Sequence, residues 1–320
     1  MRTGIVIDSA CDLPQDYIQS HNIHVMPISL HFGFDIFKDM RDPEATQAFY
    51  RKYLSEKTLD AETAPFSMEQ IRELFLEKLV LKYDRVLVVT IAQTRSPIFE
   101  NATEASFAIL KRYREKRRQA GMAGSFYMAV LDSKTLFTGE GVLVHEAVRL
   151  LEEQNIPFGT LRNIIEQLSQ QVHGYLVPDD LFYIRHRASK KGEKTVGLLG
   201  YHLGTLLDIK PIIGFHRGES QVIDKERGFD HALIKLFEMV RRAIDQGLAT
   251  RIVNASYAGD LEVIRRKRAF VEFERYARER GIEVLLSIMS TTAGINVGPG
   301  AFALAYIAGS AVSATARSLA

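Results

Sequence analysis

The sequence predicts an α/β protein of two lobes. A parallel-sheet α/β/α lobe is expected over residues 1–158, and a mixed-sheet α/β lobe over residues 159–320. Three observations predict this. A chain of 320 residues exceeds the size at which one hydrophobic core usually stops growing, about 250–300 residues. Within residues 4–150 the order of apolar run, polar loop and amphipathic helix recurs four times, the pattern of a parallel sheet covered by helices. Beyond residue 170 the pattern changes and contains a hairpin, which calls for a mixed sheet.

Gly4-Ile5-Val6-Ile7 reads as a short buried strand that opens into a polar loop at Asp8-Ser9. Asp12 offers an N-cap for the next helix, with Pro14 in its first turn. Val25 to Leu30 reads as a second strand, and Pro27 suggests a sheet edge. Ser67-Met68-Glu69-Gln70 has the form of a capping box, followed by Ile71, Leu74, Phe75 and Leu79 on one helical face. Val86–Val89 and Met128–Leu131 are further strands, running into Gln93-Thr94 and Asp132-Ser133. Ser96-Pro97 reads as a helix start, and the helix ends in the basic run Lys111–Arg118.

The loop Asn155-Ile156-Pro157 precedes another helix and marks the expected lobe boundary. Gly174–Val177 is strand-like, and a charged stretch follows from Arg185 to Lys194. Pro211–Phe215 and Gln221–Ile223 flank a Gly218-containing turn, which predicts a hairpin. A long helix follows, with Phe229, Leu233, Leu236, Phe237, Val240 and Ile244 on one face. Ile252–Ser256 and Val284–Ile288 are strands with a helix between them, and Gly298-Pro299-Gly300 is a tight turn into an apolar final element.

Composition narrows the function classes. The apolar and charged fractions, 46% and 25%, are ordinary for a globular protein, and a net charge of +2 argues against a dedicated nucleic-acid binder. The basic runs at Lys111–Arg118 and Arg265–Arg268 are interspersed with Glu115, Glu262 and Glu272, as solvated helix faces are. The single cysteine, Cys11, excludes an internal disulfide and suits a reducing compartment. With no apolar signal segment and no run of about 20 apolar residues, the expected location is cytoplasmic and no membrane span is expected.

Catalytic and metal patterns are missing. The nine histidines show no zinc spacing, and no G-x-S-x-G, Walker or G-x-G-x-x-G motif occurs. Asp8 and Asp12 beside Cys11 disfavour a thiolate. No cofactor is expected. Ligands of parallel sheets bind beyond the carboxyl ends of the strands, where the loops here carry Asp8, Ser9, Thr63, Gln93, Thr94, Asp132 and Ser133. Hydroxyls and backbone amides there form a neutral cradle for an anion, although Ser67, Ser96 and Ser133 also suit plain helix caps. Gly298 and Gly300 would allow the backbone to approach a ligand closely.

Several of these segments, taken in order, resemble the DegV family of fatty-acid-binding EDD-fold proteins. Ile7-Asp8-Ser9-Ala10-Cys11-Asp12-Leu13 resembles its opening D-S-[TS]-x-D-[LI] segment. Leu131-Asp132-Ser133-Lys134 with Gly139-Glu140-Gly141 resembles its D-S-K segment and small-residue helix. Asp208-Ile209-Lys210-Pro211-Ile212 and Gly298-Pro299-Gly300-Ala301 are similar to N-I-K-P-[IL] and to the terminal G-P-G-A, so the resemblance runs from residue 5 to residue 305.

The resemblance implies two α/β domains with a long-chain fatty acid between them; together with the missing catalytic patterns, the expectation is a carrier or presenter with no enzymatic activity. It implies carboxylate ligands at a Thr, at serines after the third strand and at a His before G-P-G. Thr63 stands for the first. The serines fall on Ala92 and Gln93, with Ser96 retained beyond them, and Asn296 occupies the histidine position. The head-group set is then Thr63, Gln93, Ser96 and Asn296, all uncharged donors. A fatty-acid kinase is an implied partner, but the Gly-Gly-Arg turn implicated in meeting it is replaced near Arg185-His186-Arg187-Ala188. Two other readings compete. The chain could present a ligand to a separate kinase or use Asp8 and Asp132 in proton transfer, unless both acids simply bond turn amides. It could also be a scaffold whose basic helices meet other macromolecules.

Overall fold

The architecture comes from a computed structural model, which describes residues 2–32, 35–53, 61–154, 156–190 and 208–309. In chain order the strands are β1 (Thr3–Asp8), β2 (His24–Met26), β3 (Ile28–Phe32), β4 (Asp35–Asp39), β5 (Ala61–Pro65), β6 (Arg85–Thr90) and β7 (Tyr127–Asp132). They continue as β8 (Val172–Val177), β9 (Ile209–His216), β10 (Glu219–Arg227), β11 (Ile252–Tyr257), β12 (Glu283–Ile288) and β13 (Phe302–Ile307).

The four predicted N-terminal strands form one all-parallel sheet, in the order β2-β1-β6-β7. Their apolar runs are continuous because both faces are covered. Val6, Val86 and Val88 pack with Phe75, Ile98 and Ala102 on one side. Ile5, Ile7, Leu87 and Val89 pack with Val142, Leu143 and Leu161 on the other. The capping box is present, with Ser67 Oγ accepting from the Gln70 amide and the Gln70 side chain accepting from the Ser67 amide.

The C-terminal sheet is mixed, in the order β10-β9-β8-β13-β11-β12, and only β11 and β12 run parallel. The predicted hairpin is β9–β10. The final apolar element, β13, is a central strand between β8 and β11, and all six of its residues are buried. The long helix Phe229–Gln246 and the helix Arg268–Glu279 cover the outer face, with Leu233, Phe237, Phe270 and Phe273 in its core.

The two sheets share a layer. The helix Thr138–Gln154 lies between them, and its apolar cluster takes Ile7 and Val89 from one sheet and Ile252 and Ile307 from the other. It comes close because Gly141 has no side chain: a Cβ there would lie 2.5 Å from the Asp12 carbonyl oxygen. The expected lobe boundary at 158/159 falls at the start of the helix Phe158–Ser169, and Asn155 in the preceding loop lies outside the described residues.

Three differences from the sequence reading have physical causes. Val25–Leu30 is two strands, not one. Pro27 has no N–H to continue the ladder, so β2 ends there and β3 leaves to pair with β4 and β5 in a separate antiparallel sheet. Asp12 does not cap the first helix, Gln15–Ser20, whose N-cap is Pro14, because Asp12 is drawn into a buried polar network. Arg117, in the basic run expected to be solvated, is buried: its guanidinium donates to the Val80 and Tyr83 carbonyls and to Asp84. That pairing also holds the Asp84 carboxyl below its usual range. Among the described residues, no helix is long and apolar enough to cross a membrane, and no cluster of metal-ligating side chains forms.

Candidate functional site

A cavity of about 400 Å³ opens where the three sheets meet, beyond the carboxyl ends of the parallel strands. That volume lies in the ordinary range for small-molecule sites. The antiparallel sheet contributes Ile28 and Pro65, the loops after β6 and β7 contribute Ile91, Leu136 and Phe137, and the mixed sheet contributes Leu176, Ile213 and Phe215. The wall is apolar except for Thr63, Arg95, Ser96, Ser220, Thr292 and Asn296.

The polar groups are held from behind by a buried network. Ser290 caps the helix Thr291–Val297, its Oγ accepting from the Ala293 amide at 3.0 Å. Asp39 accepts from both the amide and the hydroxyl of Thr292 at 2.9 Å, and Asp12 accepts from the Ser290 amide at 2.8 Å and the Ser256 hydroxyl at 2.6 Å. Arg41 lies 3.3 Å from Asp12 and donates to the carbonyls of Leu13 and Ile288. Tyr50 donates to the carbonyls of Met289 and Ser290. One short helix, presenting Thr292 and Asn296 to the cavity, is thereby tied to all three sheets.

Burial sets the electrostatics of this network. Asp8 is pushed up to about 6, chiefly by burial and despite the Ile91 and Ala10 amides that favour its charged form. Burial likewise raises Asp12 against the pull of Arg41. It raises the fully buried Glu140 well above its ordinary value, helped by the nearby Asp8 and Asp12. The Cys11 thiol is raised by burial first and then by Glu140 and Asp8, which makes it a poor nucleophile.

The Asp8 shift makes a prediction about stability. The folded state binds this proton more tightly than the unfolded chain, so the contribution is full below pH 3.8 and is lost as pH rises through about 6. The loss amounts to about 3 kcal/mol, at about 1.4 kcal/mol per pKa unit. Asp8→Asn has no such titration. Urea unfolding at pH 3 and pH 7 should show the variant gaining by about that amount relative to wild type. A difference that does not change with pH would contradict the assignment.

With the site in view, comparison with known proteins places the chain. A family model described as "Uncharacterised protein, DegV family" matches residues 2–309. The chain belongs to the DegV family. A DegV domain-containing protein of Xanthomonas campestris is 44% identical over 308 residues, covering 96% of this chain and 98% of its own length. Among solved structures, a DegV lipid binding protein of Thermotoga maritima has a TM-score of 0.76 at 20% identity, covering 96% of this chain and 99% of its own. A fatty acid (stearic acid)-binding protein from Eubacterium ventriosum has a TM-score of 0.75 at 20% identity, covering 96% and 98%. At that identity the likeness establishes the fold, two sheets with interleaved helices.

Within this DegV-family fold the residues expected at the ligand end divide into groups. Thr63, Ser96 and Asn296 all line the cavity, from β5, the loop after β6 and the helix Thr291–Val297. Asn296 is half-buried, and its amide nitrogen donates to the Thr292 carbonyl at 2.7 Å. Gln93 does not line the cavity. Its side chain is exposed, because its backbone amide is drawn to Asp132 at 3.1 Å and the loop turns only afterwards. The residue that reaches the wall is Arg95, so the polar end is not made of uncharged donors alone.

The remaining residues support the site from outside it. Asp8 accepts from the Ala10 and Ile91 amides, and Asp132 from the Gln93 and Lys134 amides, so both carboxylates are engaged in shaping loops. Ser9 accepts from the Ile28 amide and lies 3.3 Å from the Thr292 hydroxyl. Ser133 accepts from the Thr135 amide. Gly298 and Gly300 do not line the cavity; they turn the chain from the helix into β13, where Gly298 packs against Tyr183 and Gly300 against Asp179. Sequence reasoning missed Arg41, Asp39 and Arg95. Asp39 lies between Lys38 and Arg41 in the chain, so its recruitment to Thr292 carried no local signal.

Proposed function

We propose that this chain binds a fatty acid or similar single-chain amphiphile in the cavity between its sheets, as an intracellular carrier or presenter and not as a catalyst. The observation that carries the reading is the distribution of wall residues: an apolar cavity with its hydroxyl and amide side chains supplied by Thr63, Ser96, Ser220, Thr292 and Asn296. The lipid and stearic-acid binding named for its structural relatives supports the same ligand class. The apolar wall supplies affinity. Burying an acyl chain contributes about 0.8 kcal/mol per methylene, so ten methylenes offer about 8 kcal/mol before the costs of association. The polar end fixes orientation. The engagement of Asp8 and Asp132 with backbone amides speaks for loop-shaping acids over proton-transfer acids.

The test is mass spectrometry of the purified full chain, both native and after solvent extraction. A co-purified amphiphile, or a one-to-one mass increment on adding dodecanoate, is the expected result. Repeated recovery of empty protein that takes up no added chain of any head group would overturn the reading.

A further inference from the structure

The cavity wall carries a single charged side chain among the described residues that line it, and its position was not apparent from the sequence. Arg95 sits in the loop after β6, between Ile91 and Ser96, which also face the cavity. It is half-buried, and one guanidinium nitrogen donates to the Ser220 hydroxyl at 2.7 Å. Ser220 belongs to β10 of the other sheet and is itself part of the wall.

The surroundings hold this side chain in place. Thr94 Oγ1 donates to the Gly218 carbonyl at 3.0 Å, and the Gly218 amide donates to the Lys134 carbonyl at 2.7 Å. The hairpin turn is thus clasped to the loops after β6 and β7, and Arg95 lies beside that clasp. A guanidinium so placed costs little further ordering when a ligand arrives. Its planar fork matches the two oxygens of a carboxylate or phosphate. Half-burial in an apolar wall lowers the local dielectric, so an anion gains more there than at an open surface.

We infer that Arg95 is the head-group ligand that makes this cavity selective for anionic amphiphiles. The inference rests on the proposed binding of a single-chain amphiphile and adds its charge class. The two positions where the family resemblance implies serine hydroxyls are Ala92 and Gln93, and neither lines the cavity. The fork of Arg95 supplies the donors from two residues further along the same loop. Thr63, Ser96 and Asn296 complete the polar end with neutral groups, and the chain carries its own recognition of negative charge.

The experiment compares dodecanoate, dodecyl phosphate and 1-dodecanol as competitors for a fluorescent fatty-acid probe on the full chain. Wild type, Arg95→Leu and Arg95→Lys are measured at two salt concentrations. Wild type should favour the two anions over the alcohol by at least about tenfold, as a charge-assisted pair is worth. The carboxylate and phosphate arms show which anion the fork prefers. Arg95→Leu should lose about tenfold to a hundredfold for the anions while keeping its affinity for the alcohol. Arg95→Lys, which keeps the charge and loses the fork, should fall between the two. An anion-to-alcohol ratio unchanged in Arg95→Leu, or equal affinity for all three ligands in wild type, would overturn the inference while leaving amphiphile binding intact. If no ligand binds to any of the three proteins, the proposed function itself fails.

Discussion

Arg41→Met is expected to destabilise the protein by about 3–5 kcal/mol, the usual cost of removing one partner from a buried ion pair. Arg41 is 3% exposed and faces Asp12, which is fully buried. It also donates to the Leu13 and Ile288 carbonyls, so the variant leaves one carboxylate and two buried acceptors short of a partner. The deficit should depend on pH. With Arg41 gone, only the Ser256 and Ser290 hydrogen bonds still oppose burial and the Asp12 carboxyl rises further, so the deficit shrinks on acidification as Asp12 takes up its proton. Asp12→Asn in the Arg41→Met background should recover part of the loss. Denaturant unfolding of the four members of this cycle measures the coupling. Additive single effects would show that the two side chains do not act as a pair.

The second large effect is expected at Gly298. Its backbone, at φ 89° and ψ 162°, lies in a region that L-residues essentially never occupy. A Cβ there would also clash with the ring of Tyr183. Strain and overpacking add in Gly298→Ala to a loss on the order of 4 kcal/mol. Gly281 is the control: at φ 68° it has open space around it, so Gly281→Ala carries strain alone, about 1 kcal/mol. Because Gly298 ends the helix that presents Thr292 and Asn296, its variant should also weaken dodecanoate binding, which Gly281→Ala should not. Thermal unfolding and the same competition assay read both effects. Equal losses in the two glycine variants would place the cost in the backbone alone.

Part of the site was legible because its signals are local. Thr63 and Ser96 are small polar residues next to strand ends, where ligands of parallel sheets gather, and both face the cavity. Asn296, carried over from the family pattern, faces it too. Gln93 and Arg95 are both polar residues of one loop, and composition cannot say which one turns inward. That choice follows from the bond between the Gln93 amide and Asp132, from the next strand, and from the bond between Arg95 and Ser220, 125 residues away. Asp12 shows the same limit. By position it reads as a helix cap, yet its partners are Arg41, Ser256 and Ser290.

The order of residues alone settled what depends on neighbours a few positions apart. The continuous apolar runs of the parallel strands, the capping box at Ser67, the hairpin around Gly218 and the amphipathic face of residues 229–246 all follow from short-range periodicity and turn chemistry. Tertiary structure alone decided the departure of the chain at Pro27 into a third sheet, the central place of β13, and the gathering of buried acids around Arg41. It also turned a cation into the cavity wall. Each of these depends on hydrogen bonds and contacts between distant segments. The energy that selects them exists only once the sheets have come together and excluded water.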